Sequence, residues 1–263
     1  MRVRLPPAAG QRTGPVVAAE SQTAGLRLDP FLAWMLERGG IQADAFRGAA
    51  LNRRLTACLR LLRVPSAEHA RSLLERRRDL MPAALTTVLI GVTQFFRDPG
   101  VFESVCTHAL PELRATGDVL RIASLGVSRG HELYSIAMLL AEQGLLGRSE
   151  LLGVDCRADA IAAATAGRFS GEDLAGLSSE RVERFFTARG AEYEAKPELR
   201  AHLRWWAGDL FACERPGNFQ LVFFRNVAIY LDSAPAARAW EVVRDQLAPG
   251  GYAVTGKAER PPA

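Results

Sequence analysis

Lysine is nearly missing from this chain of 263 residues: Lys196 and Lys257 are the only two, and arginine supplies the rest of the positive charge. Cysteine is sparse and dispersed. Cys58, Cys106, Cys156 and Cys213 form no C-x-x-C pair, which argues against a zinc ribbon or a disulfide framework and suits a reducing compartment. The four histidines show no metal-ligand spacing, so no metal is expected. No apolar run approaches the ~20 residues that cross a bilayer, so no membrane insertion is expected. The N-terminal arginines lead into no apolar h-region, which argues against a secretory signal and for the cytoplasm. There is no internal repeat and no low-complexity tract. A hydrophobic content of 48% and a charged content of 24% belong to a globular protein with a real core, and the length allows one large domain or two small ones.

The net charge of +4 is unevenly placed. Up to Thr116 there are 16 arginines against 10 acidic residues; the remainder holds 17 basic against 19 acidic. A basic first part and a mildly acidic second part suggest two units with different tasks. A basic unit suits nucleic acid, an anionic membrane or an acidic protein, and arginine-rich composition alone equally follows from a GC-rich genome.

Residues 1–25, with Pro6, Pro7, Gly10, Gly14 and Pro15 and little periodicity, read as a disordered or loosely docked tail. An all-α unit is expected over 26–92. It starts with a helix from Asp29 to Arg38, ended by Gly39-Gly40. A second helix is expected from Ala45 to Leu62, with Leu51, Leu55, Cys58, Leu59 and Leu62 as its apolar stripe. Arg53 and Arg60 fall on the opposite side and Arg54 and Arg63 at the flanks. A third helix follows Ser66 as N-cap to Arg78, and a fourth covers Pro82 to Ile90. Residues 93–117 link this unit to a second domain over 118–263, in which a small subdomain is expected near 190–206. Short apolar runs ending at Leu125, Asp155 and Phe224 alternate with helical patterns, which implies a mostly parallel sheet covered on both faces.

The organising stretch is Leu120 to Met138. A strand-like run breaks at Gly126 and Gly130, and Leu133, Ala137, Leu140 and Ala141 then recur at helical spacing. Such a turn admits a ligand close to the backbone, and the free N–H groups of the following helix face it. Asp155 ends the next strand, where an acidic residue suits ribose hydroxyls. Arg225-Asn226 ends a later one. Ligands bind outside the carboxyl ends of such strands. This pattern alone serves a nicotinamide cofactor and S-adenosylmethionine equally well.

Five motifs together resemble one family. They are Thr93-Gln-Phe-Phe-Arg-Asp, Gly126-Val-Ser-Arg-Gly-His-Glu-Leu-Tyr-Ser-Ile-Ala, Gly153-Val-Asp, Phe224-Arg-Asn-Val-Ala-Ile-Tyr-Leu and Leu247-Ala-Pro-Gly-Gly. In order and spacing, from about residue 26 to 260, they resemble the CheR-type chemoreceptor glutamate methyltransferases. The resemblance implies a Rossmann-like methyltransferase domain behind a small all-α domain, with S-adenosylmethionine as cofactor. It implies a methyl-accepting chemoreceptor cytoplasmic domain as partner, and no nucleic acid. Arg97 and Tyr230 would border the transferred methyl group. Thr93, Arg97, Gly126, Glu132, Asp155, Asp209, Leu210, Arg225 and Asn226 would contact the cofactor. Phe95 and Phe96 would pack at the domain junction, and Arg53, Arg54, Arg60 and Arg63 would dock the receptor.

The sequence departs from the family pattern at several places. Gly91 stands where Asn is usual. Arg129, His131 and Leu133 replace Thr, Glu and Pro in the glycine loop, Asp209 stands for an Asn, and Gly-His-Ser-Glu reads Gly256-Lys-Ala-Glu259. These changes motivate an alternative, a regulatory or binding module that keeps the fold with weak or lost catalysis. The resemblance also leaves room for a final strand pair and further domains beyond Ala263.

Overall fold

The computed structural model describes residues 27–89, 93–115, 117–212, 217–259 and 261. The expected tail at 1–25, Gly91 and Cys213 lie outside the described residues. The first part is helical: α1 (Pro30–Arg38), α2 (Gly48–Asn52), α3 (Leu55–Leu62), α4 (Ala67–Arg76) and α5 (Met81–Val88). Asp29 caps α1 by accepting from the Phe31 N–H, and Ser66 caps α4 by accepting from the His69 N–H, each satisfying an orphan donor. Leu32, Met35, Leu36, Leu51, Cys58, Leu74 and Val88 meet, fully buried, in one core. The single helix expected over 45–62 is broken at Arg53-Arg54. At the break the Arg54 N–H donates to the Leu51 carbonyl at 2.8 Å, a three-residue turn in place of the α-helical bond. Asn52 beside it is used in tertiary contacts: its Oδ1 accepts from the Asp29 N–H and its Nδ2 donates to the Arg27 carbonyl.

Thr93 to Asp98 lead into α6 (Pro99–Ser104), a π-helical stretch at Val105–Ala109, and α7 (Leu110–Ala115). Then come β1 (Leu120–Leu125), α8 (His131–Glu142), β2 (Ser149–Asp155), α9 (Ala158–Ala166), β3 (Arg168–Ser170), α10 (Gly171–Leu174), α11 (Ser179–Phe185), β4 (Phe186–Arg189), β5 (Glu192–Ala195), α12 (Pro197–Arg200), β6 (Leu203–Ala207), β7 (Phe219–Phe224), α13 (Ser233–Gln246) and β8 (Leu247–Thr255). The main sheet is parallel throughout, in the order β6-β2-β1-β7-β8. Its inner strands are buried on both faces, which is why β1 and β7 read as nearly unbroken apolar runs.

The stretch 190–206, expected to hold a small subdomain, is divided in the structure. Glu192–Ala195 joins β3 and β4 in an antiparallel three-stranded sheet, while Leu203–Ala207 is the edge strand of the main sheet. Trp205 explains the second assignment. Its ring lies across Gly153 of β2, where an added Cβ would come within 2.6 Å of it.

The order of strands reverses beside β1, and the register levels their ends. Trp206, Val154, Leu125, Phe224 and Thr255 form one row across the sheet. The residues that leave this row, Gly126, Asp155 and Arg225 among them, therefore emerge together at the switch point. The helical part docks against the same edge. Phe46 and Leu231 form an isolated antiparallel bridge, the Arg47 N–H donates to the Tyr230 carbonyl at 2.9 Å, and the Asp232 N–H donates to the Ala45 carbonyl at 3.0 Å. Arg47 adds a bond from Nε to the Leu231 carbonyl. Arg47→Ala keeps the backbone bridge and removes that bond, a loss of about 1 kcal/mol. The expected outcome is faster amide exchange at Phe46, Arg47 and Asp232 with β1 amides unchanged; faster exchange in β1 as well contradicts a local junction.

Candidate functional site

Two glycines shape the loop after β1. Gly126 has φ +77°, and a Cβ there would sit 2.4 Å from the Val227 side chain. Gly130 has φ +88°, with a Cβ blocked by Trp205 and Ala164 at 2.8 and 2.9 Å. Both positions thus demand glycine on backbone and packing grounds. Ser128 between them and Asn226 across the cleft are also left-handed, at φ +51° and +59°. Such strain persists only where surrounding contacts hold it, and it clusters at functional sites. Gly130 is the N-cap of α8 and brings no side-chain cap, so the first N–H groups of that helix point toward the strand ends.

Three networks fix the charged side chains. The Asp155 carboxylate accepts from the Ser128 N–H at 2.7 Å through Oδ2 and from the Arg157 N–H at 3.0 Å through Oδ1, with the Arg157 Nε 3.4 Å from Oδ1. Glu132 accepts from the Ser124 hydroxyl through Oε1 and from Arg225 Nη1 through Oε2. The Arg225 guanidinium, 1% exposed, also donates to the Arg97 carbonyl and to Asp98. Glu259 closes the far side: its Oε1 accepts from the Val227 N–H, and its Oε2 is buried with no hydrogen-bond partner among the described residues. Burial pushes its carboxyl above the usual range. Behind the loop, His131 is fully buried against the rings of Phe95 and Phe169, and Tyr134 packs on the same Phe169 ring. Phe95 and Phe96 are both buried, as packing residues.

The candidate residues line two adjoining cavities that share Gly126, Ser128 and Asn226 as their common wall. Asp155, Asp209, Leu210 and Tyr230 face the larger one; Thr93, Arg97, Glu132 and Arg225 face the smaller. The larger cavity takes part of its wall from the helical part, through Ile41, Gln42, Phe46 and others, and Gln42 Nε2 donates to Asp209 at 2.9 Å. With its open mouth it holds about 970 Å³, room for a nucleoside-sized ligand. Arg53, Arg54, Arg60 and Arg63 line neither cavity; Arg53, Arg60 and Arg63 are exposed and Arg54 is half-buried. Sequence reasoning passed over Ser124, Ser128, Asp98 and Arg157, whose roles come only from pairings across the fold. Glu259 had one signal, its place in the last motif.

A parallel sheet with a glycine turn after β1, an acidic residue ending β2 and a cleft at the switch point defines an α/β protein built to hold a nucleotide-like cofactor. The chain belongs to the CheR methyltransferase family, whose S-adenosylmethionine-binding domain matches residues 91–262. It is 33% identical to chemotaxis protein methyltransferase 1 of Pseudomonas aeruginosa over 69% of each chain. It is 30% identical to the chemotaxis protein methyltransferase of Vibrio parahaemolyticus over 70% of each. It is 28% identical to an uncharacterized 104.1 kDa protein of Rhodobacter capsulatus, covering 81% of this chain and 23% of that one; the chain spans about a quarter of that relative. Among solved structures, the N-methyltransferase NodS of Bradyrhizobium japonicum, in complex with S-adenosylhomocysteine, superposes with a TM-score of 0.34 at 19% identity, over 59% of this chain and 58% of that one. The family's cofactor fits the site: the floor is glycine where a side chain is blocked, and Asp155 retains lone-pair capacity beyond its present donors.

His131 supplies a test of the loop's packing. Burial lowers its pKa to about 4, against a weaker pull upward from Asp173. The folded state therefore keeps the ring neutral while the unfolded chain takes up a proton below about 6.5. Stability is unaffected above that pH and falls as pH drops from about 6.5 to about 4, by roughly 3 kcal/mol for this group. His131→Phe removes the titrating ring. Urea midpoints measured at pH 7 and pH 4.5 should differ less in this variant than in the parent; equal differences contradict a neutral buried His131.

Proposed function

We propose that this chain transfers a methyl group from S-adenosylmethionine to glutamate side chains of a chemoreceptor's cytoplasmic domain, and that it acts in the cytoplasm. The supporting observation is the paired cavity at the switch point, with Asp155 on one side of the Gly126–Ser128–Asn226 wall and Arg97 on the other. The names of the relatives point the same way. The bound cofactor supplies an electrophilic methyl on a sulfonium. The chain's own work is to hold the acceptor carboxylate in line, which is catalysis by proximity.

In this reading Asp155 accepts hydrogen bonds from the ribose hydroxyls and Asp209 and Leu210 border the base. Glu132 accepts from the amino-acid end of the cofactor, with Thr93 and Asn226 beside it. Arg225 serves mainly by holding Glu132 and the Arg97 carbonyl, because its guanidinium is already engaged by both. Arg97 and the Tyr230 hydroxyl orient the acceptor carboxylate. No general base is required, because a glutamate is already ionised at neutral pH. The division of labour runs near residue 93, with the helical part in front as the receptor-docking unit. Its excess of positive charge, and the exposed Arg53, Arg60 and Arg63 with Arg54 beside them, suit an anionic, glutamate-bearing helix.

A second reading, a binding module without efficient turnover, is favoured by one observation. The glycine loop departs from the family pattern, with Arg129, His131 and Leu133 in place of Thr, Glu and Pro. Calorimetry with S-adenosylhomocysteine, followed by labelled-methyl transfer onto receptor cytoplasmic fragments, separates the two: binding with transfer supports the enzyme, binding without transfer the module.

Asp155→Ala should weaken S-adenosylhomocysteine by ~1.5 to 3 kcal/mol, one to two decades. Parent affinity in this variant overturns the ribose placement. Arg97→Ala and Tyr230→Phe should lower turnover more than cofactor affinity, since interactions realised in the transition state act on rate; unchanged turnover in both removes them from the reacting centre.

The docking face carries its own prediction. Arg53→Glu with Arg60→Glu should raise the KM for receptor, leave cofactor affinity alone and flatten the salt dependence, because exposed charges are screened beyond ~8 Å at physiological ionic strength. A parent KM at low salt makes these arginines a merely solvated face.

A further inference from the structure

Arg157 stands two residues past Asp155, and none of the family motifs includes it. It is 5% exposed. Its guanidinium reaches three separate elements. Nη2 donates to the Ser128 hydroxyl at 2.8 Å, Nε lies 3.4 Å from Asp155 Oδ1, and Nη1 donates to the Thr86 hydroxyl of α5 at 3.1 Å. Because the Ser128 N–H donates to the other oxygen of Asp155, Ser128, Asp155 and Arg157 close a ring. That ring holds Ser128 at its left-handed φ of +51° and aims the carboxylate. Among the described residues, Thr86 is the ring's one side-chain bond to the helical part.

We propose that Arg157 is a positioning residue that couples docking of the helical part to the cofactor site, by fixing Asp155 and the glycine loop from Thr86. The physical reason is the fork of the guanidinium. It satisfies a hydroxyl, a carboxylate and a second hydroxyl at once in fixed directions, which a lysine ammonium on a flexible stem cannot do. The carboxylate needs that partner, since a buried charge left alone is costly. When the helical part docks, Thr86 completes the fork and Asp155 is held; when it lifts away, Arg157 loses one anchor and the ring loosens. Linkage makes the effect reciprocal, so cofactor binding must tighten the docking of α5 to the same degree.

The inference rests on the reading that Asp155 binds the cofactor ribose. The test uses the full chain, S-adenosylhomocysteine as probe, and two readouts: affinity by calorimetry, and amide exchange in α5 with and without the probe. Arg157→Met should weaken the probe at least about tenfold, the size of a lost charged hydrogen bond, and Arg157→Lys should fall between it and the parent. Thr86→Val, at a residue that lines neither cavity, should weaken the probe about threefold, with turnover at saturating cofactor unchanged. In the parent the probe should slow exchange at Leu85 to Val88; in Thr86→Val that slowing should be lost. If Thr86→Val binds the probe with parent affinity and its α5 still slows, the coupling is wrong, even where Arg157→Met fails to fold. If Asp155→Ala binds as the parent does, the ribose placement itself is wrong, and the two failures are told apart.

Discussion

A buried guanidinium cannot stay unpaired, and the arrangement around Arg225 follows from that constraint. With its side chain 1% exposed it draws two carboxylates, Glu132 on α8 and Asp98 before α6, and the Arg97 carbonyl. Those contacts join the end of β7, the start of α8 and the motif that precedes α6. A buried ion pair of this kind adds little net stability over a well-packed apolar substitute, because desolvation offsets attraction. What it adds is direction: Glu132 and Arg97 are held where the strand ends meet. Arg157 does the same for Asp155 on the other side of Gly126, so the loop lies between two fixed cations.

The fold was legible in the sequence where period and burial agree. β1, β2 and β7 are apolar because they are buried on both faces, and α8 carries its 3.6-residue spacing openly. The helical part was legible in outline, but the apolar stripe runs on through the tight turn at Arg53-Arg54, so the pattern does not show that the helix is broken there. β6 was hidden for a similar reason: Leu203–Ala207 shows no clean alternation, and its place is set by Trp205 filling the space over Gly153.

The candidate residues named from motifs all reach the two cavities, because motifs at strand ends are carried to one edge by register. The residues that orient them were not legible. Ser128 and Asp98 have partners distant in sequence, Ser124 meets Glu132 only because the loop folds back between them, and one more arginine in an arginine-rich chain draws no attention. Only the third dimension separates Arg157, which is buried, from Arg53 and Arg60, which are exposed.

The helical part has two relations to the cleft, and they differ in kind. Through Phe46, Arg47 and the Tyr230–Asp232 segment it touches the chain beside the proposed acceptor-orienting tyrosine mostly by backbone pairing, which is insensitive to side-chain identity, with an added side-chain bond from Arg47 Nε to the Leu231 carbonyl. Through Thr86 and Gln42 it touches Asp155's partner and Asp209 by side-chain bonds, which are not. Substitution at Thr86 or Gln42 therefore acts on the partners of Asp155 and on Asp209, while the backbone pairing beside Tyr230 is kept. The inner side of the helical part thus reaches the cleft through Gln42 and Thr86, while Arg53, Arg60 and Arg63 are exposed and line neither cavity.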